Sequence, residues 1–198
     1  MEDDAIMAGI TVDEILDELW IHPPDAEWTP KIKTISRAQV REWMKSNDME
    51  VLGLVCSTIT ERRFSIEPDL DLDDYVGFYQ RYYGRCLSES PDGEWSDSRW
   101  SAGWDLVNVL SSMARHEGVP ASVMEGWMRW LADLYRSGSE QIRLCIIQAT
   151  LEHLLEQKHF RKFFADWRND PVLKVAYEEA LLWHEGGGST PLGKPPLI

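Results

Sequence analysis

A chain of 198 residues with 43% hydrophobic content is long enough to bury a sizeable core as one ordinary domain. Its 34 acidic residues against 20 basic ones give a net charge of −14, which repels phosphate backbones and sets direct nucleic-acid binding aside. No apolar run approaches the ~18 residues that a membrane span needs, so no membrane partner is expected.

The helical period then dominates the chain. TVDEILDELW places Val12, Ile15, Leu16 and Leu19 at helical spacing, with Thr11 as N-cap. IHPPDAEWTPKIKTI carries three prolines and reads as an extended connection. SRAQVREWMKS opens on Ser36 with Gln39 three residues on, a capping-box signature, and Val40, Trp43 and Met44 share a face. Asn47 or Asp48 caps MEVLGLVCSTITERR, whose β-branched residues leave its end open to strand. FSIEPDLDLDD is punctuated by Pro68 and reads as an acidic loop, with Asp73 or Asp74 capping the next helix. That helix, DDYVGFYQRYYGRCL, has Tyr75, Phe78, Tyr79, Tyr82 and Tyr83 at helical spacing, and SESPDGEWSD follows as a loop.

The second half is more regular. SAGWDLVNVLSSMARHEG is an amphipathic helix stopped by Gly118. PASVMEGWMRWLADLYRSG begins near Pro120 and ends at Gly138. SEQIRLCIIQATLEHLLEQ is capped by Ser139, and its apolar residues cover more than one face, which marks a central helix. HFRKFFADW is short and aromatic. DPVLKVAYEEALLWHEG starts on the pair Asp170-Pro171, a cap followed by proline at the first helical position. GGGSTPLGKPPLI reads as a flexible Gly/Pro-rich tail.

These elements make an all-α protein, a single-domain bundle of about eight helices, repeat-like in its second half although no sequence repeats at a fixed period. One helical domain spans 1–185, with 1–68 as a less regular part packed on it, and 186–198 forms the tail.

The chemical motifs fall short of the residues their chemistry requires. GSTPLGKP meets G-x-x-x-x-G-K of a phosphate loop, but Pro195 stands where Ser or Thr would reach magnesium. Asp69, Asp71 and Asp73 alternate like the start of a calcium loop, yet Asp74 and Gln80 occupy the positions that need Gly and a bidentate Glu. In EHLLEQKH, Glu156 and His159 form a single Glu-x-x-His where a di-metal bundle needs two, and His153 reads as capping or lining the core. No G-x-S-x-G occurs, and Cys145 sits mid-helix among aliphatics, where a thiolate is poorly stabilised. Hence no catalytic residue, metal or cofactor is assigned, and the expectation is a non-enzyme. Cys56, Cys86 and Cys145 are far apart in apolar or aromatic contexts and read as buried reduced thiols. With the acidic start MEDDAIMAGI, which lacks a basic n-region, they give a cytoplasmic expectation. Arg62, Arg63, Arg161 and Lys162 read as pairing with the acidic excess.

PDGEWSDSRWSAGWDLVNVL holds Trp95, Trp100 and Trp104. Trp100 and Trp104 are four apart at a helix start and read as core. Trp95 lies in the acidic loop and is the one of the three free to face a partner, the alternative being that it covers the end of the bundle. The partner-binding set is therefore Asp69, Asp71, Asp73 and Asp74 in one acidic stretch, with Asp92, Glu94, Trp95 and Asp97 in the other.

YQRYYGRCLSESPDGEWSDSRWSAGWDLVNVL, LYRSGSEQIRLCIIQATLEHLLE and FRKFFADWRNDPVLKVAYEEA together resemble helical bacterial immunity-type proteins of polymorphic-toxin and secreted-effector loci, over residues 75–183. The resemblance implies a protein that neutralises a cognate toxin or effector by direct binding, and the net acidity suits a partner with a basic surface. A helical scaffold or adaptor for another protein is the alternative. An enzyme with an acid-based site is the third.

Overall fold

The computed structural model describes residues 9–21, 29–61 and 63–184, with residues 183 and 184 described as backbone only. Most of the proline-rich connection, Arg62 and the tail with its phosphate-loop-like GSTPLGKP lie outside the described residues. The fold is all-α, with nine helices and only short strands among the described residues. The chain divides between Ser98 and Arg99 into two compact units, where the sequence reads as one domain.

The first unit opens with α1 (Val12–Leu19). Thr11 and Glu14 form a reciprocal capping box: the Glu14 amide donates to Thr11 Oγ1 at 3.3 Å, and the Thr11 amide to Glu14 Oε2 at 2.8 Å. Ile15 and Leu19, one turn apart, are fully buried. Two short strand pairs follow, although the sequence shows no alternating run. β1 (Trp20–Ile21) and β2 (Thr29–Pro30) are antiparallel. β3 (Thr34–Ser36) and β4 (Ser65–Glu67) are parallel, with Ile35 opposite Ile66. β4 thus replaces the first part of the expected acidic loop. Strands this short carry too few alternating positions for the period of two to register.

Ser36 ends β3 and caps α2 (Arg37–Trp43), accepting the Gln39 amide at 3.2 Å. The reciprocal arm is missing, because the Gln39 side chain donates to Glu18 instead. Asp48 caps α3 (Met49–Thr60), accepting the Glu50 amide at 2.8 Å. α3 stays helical to Thr60 despite its β-branched end. The Thr58 and Thr60 hydroxyls donate back to the Leu54 and Cys56 carbonyls at 2.7 and 2.6 Å, so they do not compete for other backbone groups. Val51, Leu52, Leu54, Val55, Cys56 and Ile59 are all buried, making α3 the most enclosed helix of this unit. α4 (Leu72–Glu89) carries the tyrosines inward: Phe78 stacks on Tyr82 and Tyr79 on Tyr83, with centroids 6.1 and 5.8 Å apart. Its N-cap is Asp71 rather than Asp73 or Asp74, and Asp74 turns back to accept the Asp71 amide at 3.1 Å.

The second unit holds α5 (Arg99–Arg115) and α6 (Ala121–Ser137). α7 runs continuously through Glu140–Cys145, Ile146–Leu151 and Glu152–Glu156, and its middle segment widens into a π-helix. α8 begins as a tight 3₁₀ turn (Lys158–Phe164) and ends as α-helix (Ala165–Asn169); α9 is Pro171–His184. Ser139 caps α7 and Asp170 caps α9, where Asp170 Oδ1 accepts the Val172 and Leu173 amides at 2.9 and 3.0 Å. α7 is the expected central helix: Cys145, Ile146, Ala149, Leu151, Leu154 and Leu155 are fully buried. The π segment presses on α5 at Gly103, where an added Cβ would lie 2.7 Å from the Ala149 Cβ. There Thr150 Oγ1 donates to the Gly103 carbonyl at 3.1 Å. Trp167 locks α8 to α6 through its indole N–H, which donates to the Met128 carbonyl at 3.0 Å.

Candidate functional site

The loop 91–98 has the composition of a free, polar turn, yet it is fixed at two points. The first is Glu50, in the opening turn of α3. Its carboxylate accepts the Trp95 amide at 3.0 Å, the Ser96 amide at 3.1 Å and, through a short contact, the Ser96 hydroxyl. Two glycines make the approach possible. A Cβ on Gly53 would lie 2.1 Å from the Trp95 carbonyl oxygen, and one on Gly93 would lie 1.8 Å from Glu50 Oε1. The second point is Tyr82. Its hydroxyl donates to Asp97 Oδ2 at 3.0 Å and accepts the Asp97 amide at 3.0 Å.

The two carboxylates answer these surroundings in opposite ways. Burial alone would raise the Glu50 carboxyl, but the Ser96 hydroxyl and the Trp95, Ser96 and Glu94 amides outweigh it and hold the group below its usual range. Asp97 is pushed upward by burial, against the pull of the Tyr82 hydroxyl. Burial likewise pushes the Tyr82 phenol well above its ordinary value.

Fixed in this way, the loop forms one wall of a groove of about 570 Å³. Leu54, Ser57 and Thr58 of α3 line it, together with Trp20, Glu61, Arg63, Phe64, Glu94 and Trp95. Trp20 and Phe64 meet edge to face at 5.1 Å. The Arg63 guanidinium lies over the Trp20 ring, 5.5 Å from its centroid, and its Nε pairs with Glu61 Oε2 at 2.5 Å. Glu61 also accepts the Ser57 hydroxyl at 2.8 Å. Glu94 is exposed and Trp95 half-buried. The groove is thus aromatic in its walls and charged at its edge, a lining suited to the stem and head of a long cationic side chain.

Of the eight residues expected to bind a partner, the groove takes Glu94 and Trp95. Asp97 is engaged by Tyr82. Asp71 and Asp74 bind Arg37 and Arg41: Asp71 Oδ2 lies 2.9 Å from both guanidinium groups, and Asp74 Oδ2 lies 2.7 Å from Arg41. These contacts tie α2 to the start of α4 and hold the Asp74 carboxyl below its usual range, Arg41 being the main cause. Asp69 accepts the Tyr75 hydroxyl at 2.9 Å and the Leu70 amide at 2.8 Å. Asp73 and Asp92 stay exposed. Trp20, Glu61, Phe64 and the anchor Glu50 were not legible as a set, because no spacing in the sequence links them.

Trp100 and Trp104 are not core residues: 38% and 50% of their surface is exposed. The buried face of α5 is carried by Ala102, Gly103, Leu106 and Leu110, whose small members let α7 come close. The two indoles lie outside that buried face. Trp104 covers His153 instead, ring over ring at 4.1 Å, so His153 is half-buried beneath an indole rather than set in the core.

The basic residues divide. Arg63 pairs with an acid as expected, whereas Arg161 donates to the Leu155 carbonyl at 2.9 Å and Lys162 lies 4.8 Å from the Phe163 centroid. All three cysteines are buried free thiols, and burial pushes Cys86 and Cys145 up to about 12. Among the described residues no three His, Cys, Asp or Glu side chains gather as metal ligands would, and no helix is long and apolar enough to cross a membrane.

Comparison with protein families, with curated proteins and with solved structures finds no match to this chain.

Proposed function

We propose that the chain is a binding protein that docks onto a basic surface of another protein, and that this partner is a cognate bacterial toxin or effector which the chain neutralises. The observation that carries the binding reading is the pinned loop. Glu50 and Tyr82 fix its backbone, so Glu94 and Trp95 are held in place before any partner arrives. Pre-ordering lowers the entropy cost of association, and an aromatic anchor beside a charge is what interface hot spots use. The net charge of −14 favours fast encounter with a basic protein. The toxin assignment rests on the resemblance over 75–183.

Chemistry favours binding over nucleophilic catalysis by Cys86 or Cys145, since thiols raised to about 12 yield little thiolate at neutral pH. A scaffold role toward a different protein is the second reading, favoured by the exposed indoles of Trp100 and Trp104 on α5.

Co-purification with the product of the adjacent gene, followed by isothermal titration calorimetry, tests the proposal. We expect a stoichiometric complex with submicromolar affinity that weakens as salt is raised. No heat of binding at micromolar concentrations would remove the toxin reading.

A further inference from the structure

The groove beside the pinned loop already holds one guanidinium, and it is the chain's own. Arg63 stacks over Trp20 at 5.5 Å and pairs with Glu61 at 2.5 Å, while the Ser57 hydroxyl fixes the other oxygen of that carboxylate at 2.8 Å. Each oxygen of Glu61 thus already has a partner within the chain. The same lining contains a second tryptophan and a second glutamate, Trp95 and Glu94. Glu94 is exposed, and no cation among the described residues pairs with it. Its backbone is nonetheless fixed, since Glu50 holds the amide of the next residue.

From this repetition we infer that the groove is an arginine-reading site, in which an arginine side chain of the partner protein lies against the Trp95 indole and pairs with Glu94, as Arg63 does with Trp20 and Glu61. A planar, weakly hydrated guanidinium can stack on an indole and fork onto a carboxylate at once, which the point charge of lysine cannot do. The excess of acidic over basic residues supplies the long-range attraction that brings such a residue in. The inference rests on the binding reading above and names the side chain that this surface selects.

The test uses the full chain with ¹⁵N-labelled tryptophan, followed through its indole N–H signals. The Trp95 signal is assigned with Trp95→Phe. Acetyl-Gly-Arg-Gly-amide is titrated in, and the lysine and citrulline counterparts serve as controls. The expected result is a saturable shift of the Trp95 signal with the arginine peptide and little with the other two. Glu94→Gln, a surface change, should weaken that response about three- to fivefold while leaving the remaining indole signals in place. Equal shifts with all three peptides, or a response indifferent to Glu94→Gln, would overturn the inference. A basic protein partner that still binds while the arginine peptide leaves Trp95 unmoved would overturn the arginine site alone and leave the binding reading standing. An arginine peptide that shifts Trp95 while no toxin partner binds would do the opposite.

Discussion

The Trp95 amide donates to the Glu50 carboxylate at 3.0 Å, joining the start of α3 to a loop far along the chain. Because the next amide and hydroxyl, those of Ser96, bond to the same carboxylate, Glu50 organises the loop more than the loop's own residues do. Glu50→Ala would leave the amides of Trp95 and Ser96 without their acceptor. The expected cost is about 1–3 kcal/mol, the range for orphaning partly buried donors of a charge-assisted bond. Hydrogen exchange checks it: protection of the 95 and 96 amides should fall to that of open loops while α4 keeps its own.

Gly53 makes a sharper case. Any side chain there meets the Trp95 carbonyl, with even a Cβ placed 2.1 Å from the oxygen. A Cβ has no torsion of its own and the carbonyl is backbone, so the clash is relieved only by moving the loop or the helix. In an open helix Gly→Ala gains up to about 1 kcal/mol; here Gly53→Ala should instead lower the melting temperature by several degrees and displace the loop. Unchanged Trp95 fluorescence together with a higher melting temperature would contradict the close approach.

The two loop carboxylates give opposite pH dependences. Glu50 lies below its ordinary 4.5 when folded, so its contribution is complete above that value and is lost as pH falls through the folded one. Asp97 lies above its ordinary 3.8, so its contribution is complete below that value and is lost as pH rises through the folded one. Urea melts across pH 2.5 to 7 should therefore show a shallower acid limb for Glu50→Gln. Asp97→Asn should remove the opposing slope and leave stability near neutral pH equal or higher.

Trp104 offers a test of exposure. Half of its surface is in solvent and its ring covers His153 rather than the core. Trp104→Ala should cost about 1 kcal/mol or less, against the ~3–5 kcal/mol of a buried tryptophan. A larger loss in chemical denaturation would restore the pair Trp100 and Trp104 to the core.

The helices were legible because their signals are local. Thr11, Ser36, Asp48, Ser139 and Asp170 cap where their short polar side chains suggest, and the apolar surplus of α7 foretells its central place. What escaped depends on partners distant in sequence. The β3–β4 pair needs Ile35 beside Ile66, and the division after Ser98 follows a loop held by Glu50 and Tyr82 on the side of the first unit. On α5 the face that meets α7 carries Gly103 against Ala149 while Trp100 and Trp104 stay exposed, and spacing within α5 alone does not tell which of the two faces is buried. In the candidate site the acids and Trp95 stood out by composition. Only the structure separates Glu94 from Asp71, Asp74 and Asp97, whose charges or oxygens are already engaged.

The pinned loop is proposed as the surface through which the chain binds a basic protein partner. Calorimetric titration of the proposed partner, the product of the adjacent gene, into the wild-type chain and into Trp95→Ala is the decisive experiment. Submicromolar binding by the wild type is expected, weakened at least about tenfold in the variant, as for a hot-spot aromatic, with the melting temperature unchanged within about 2 °C. Equal affinity for both proteins would contradict it.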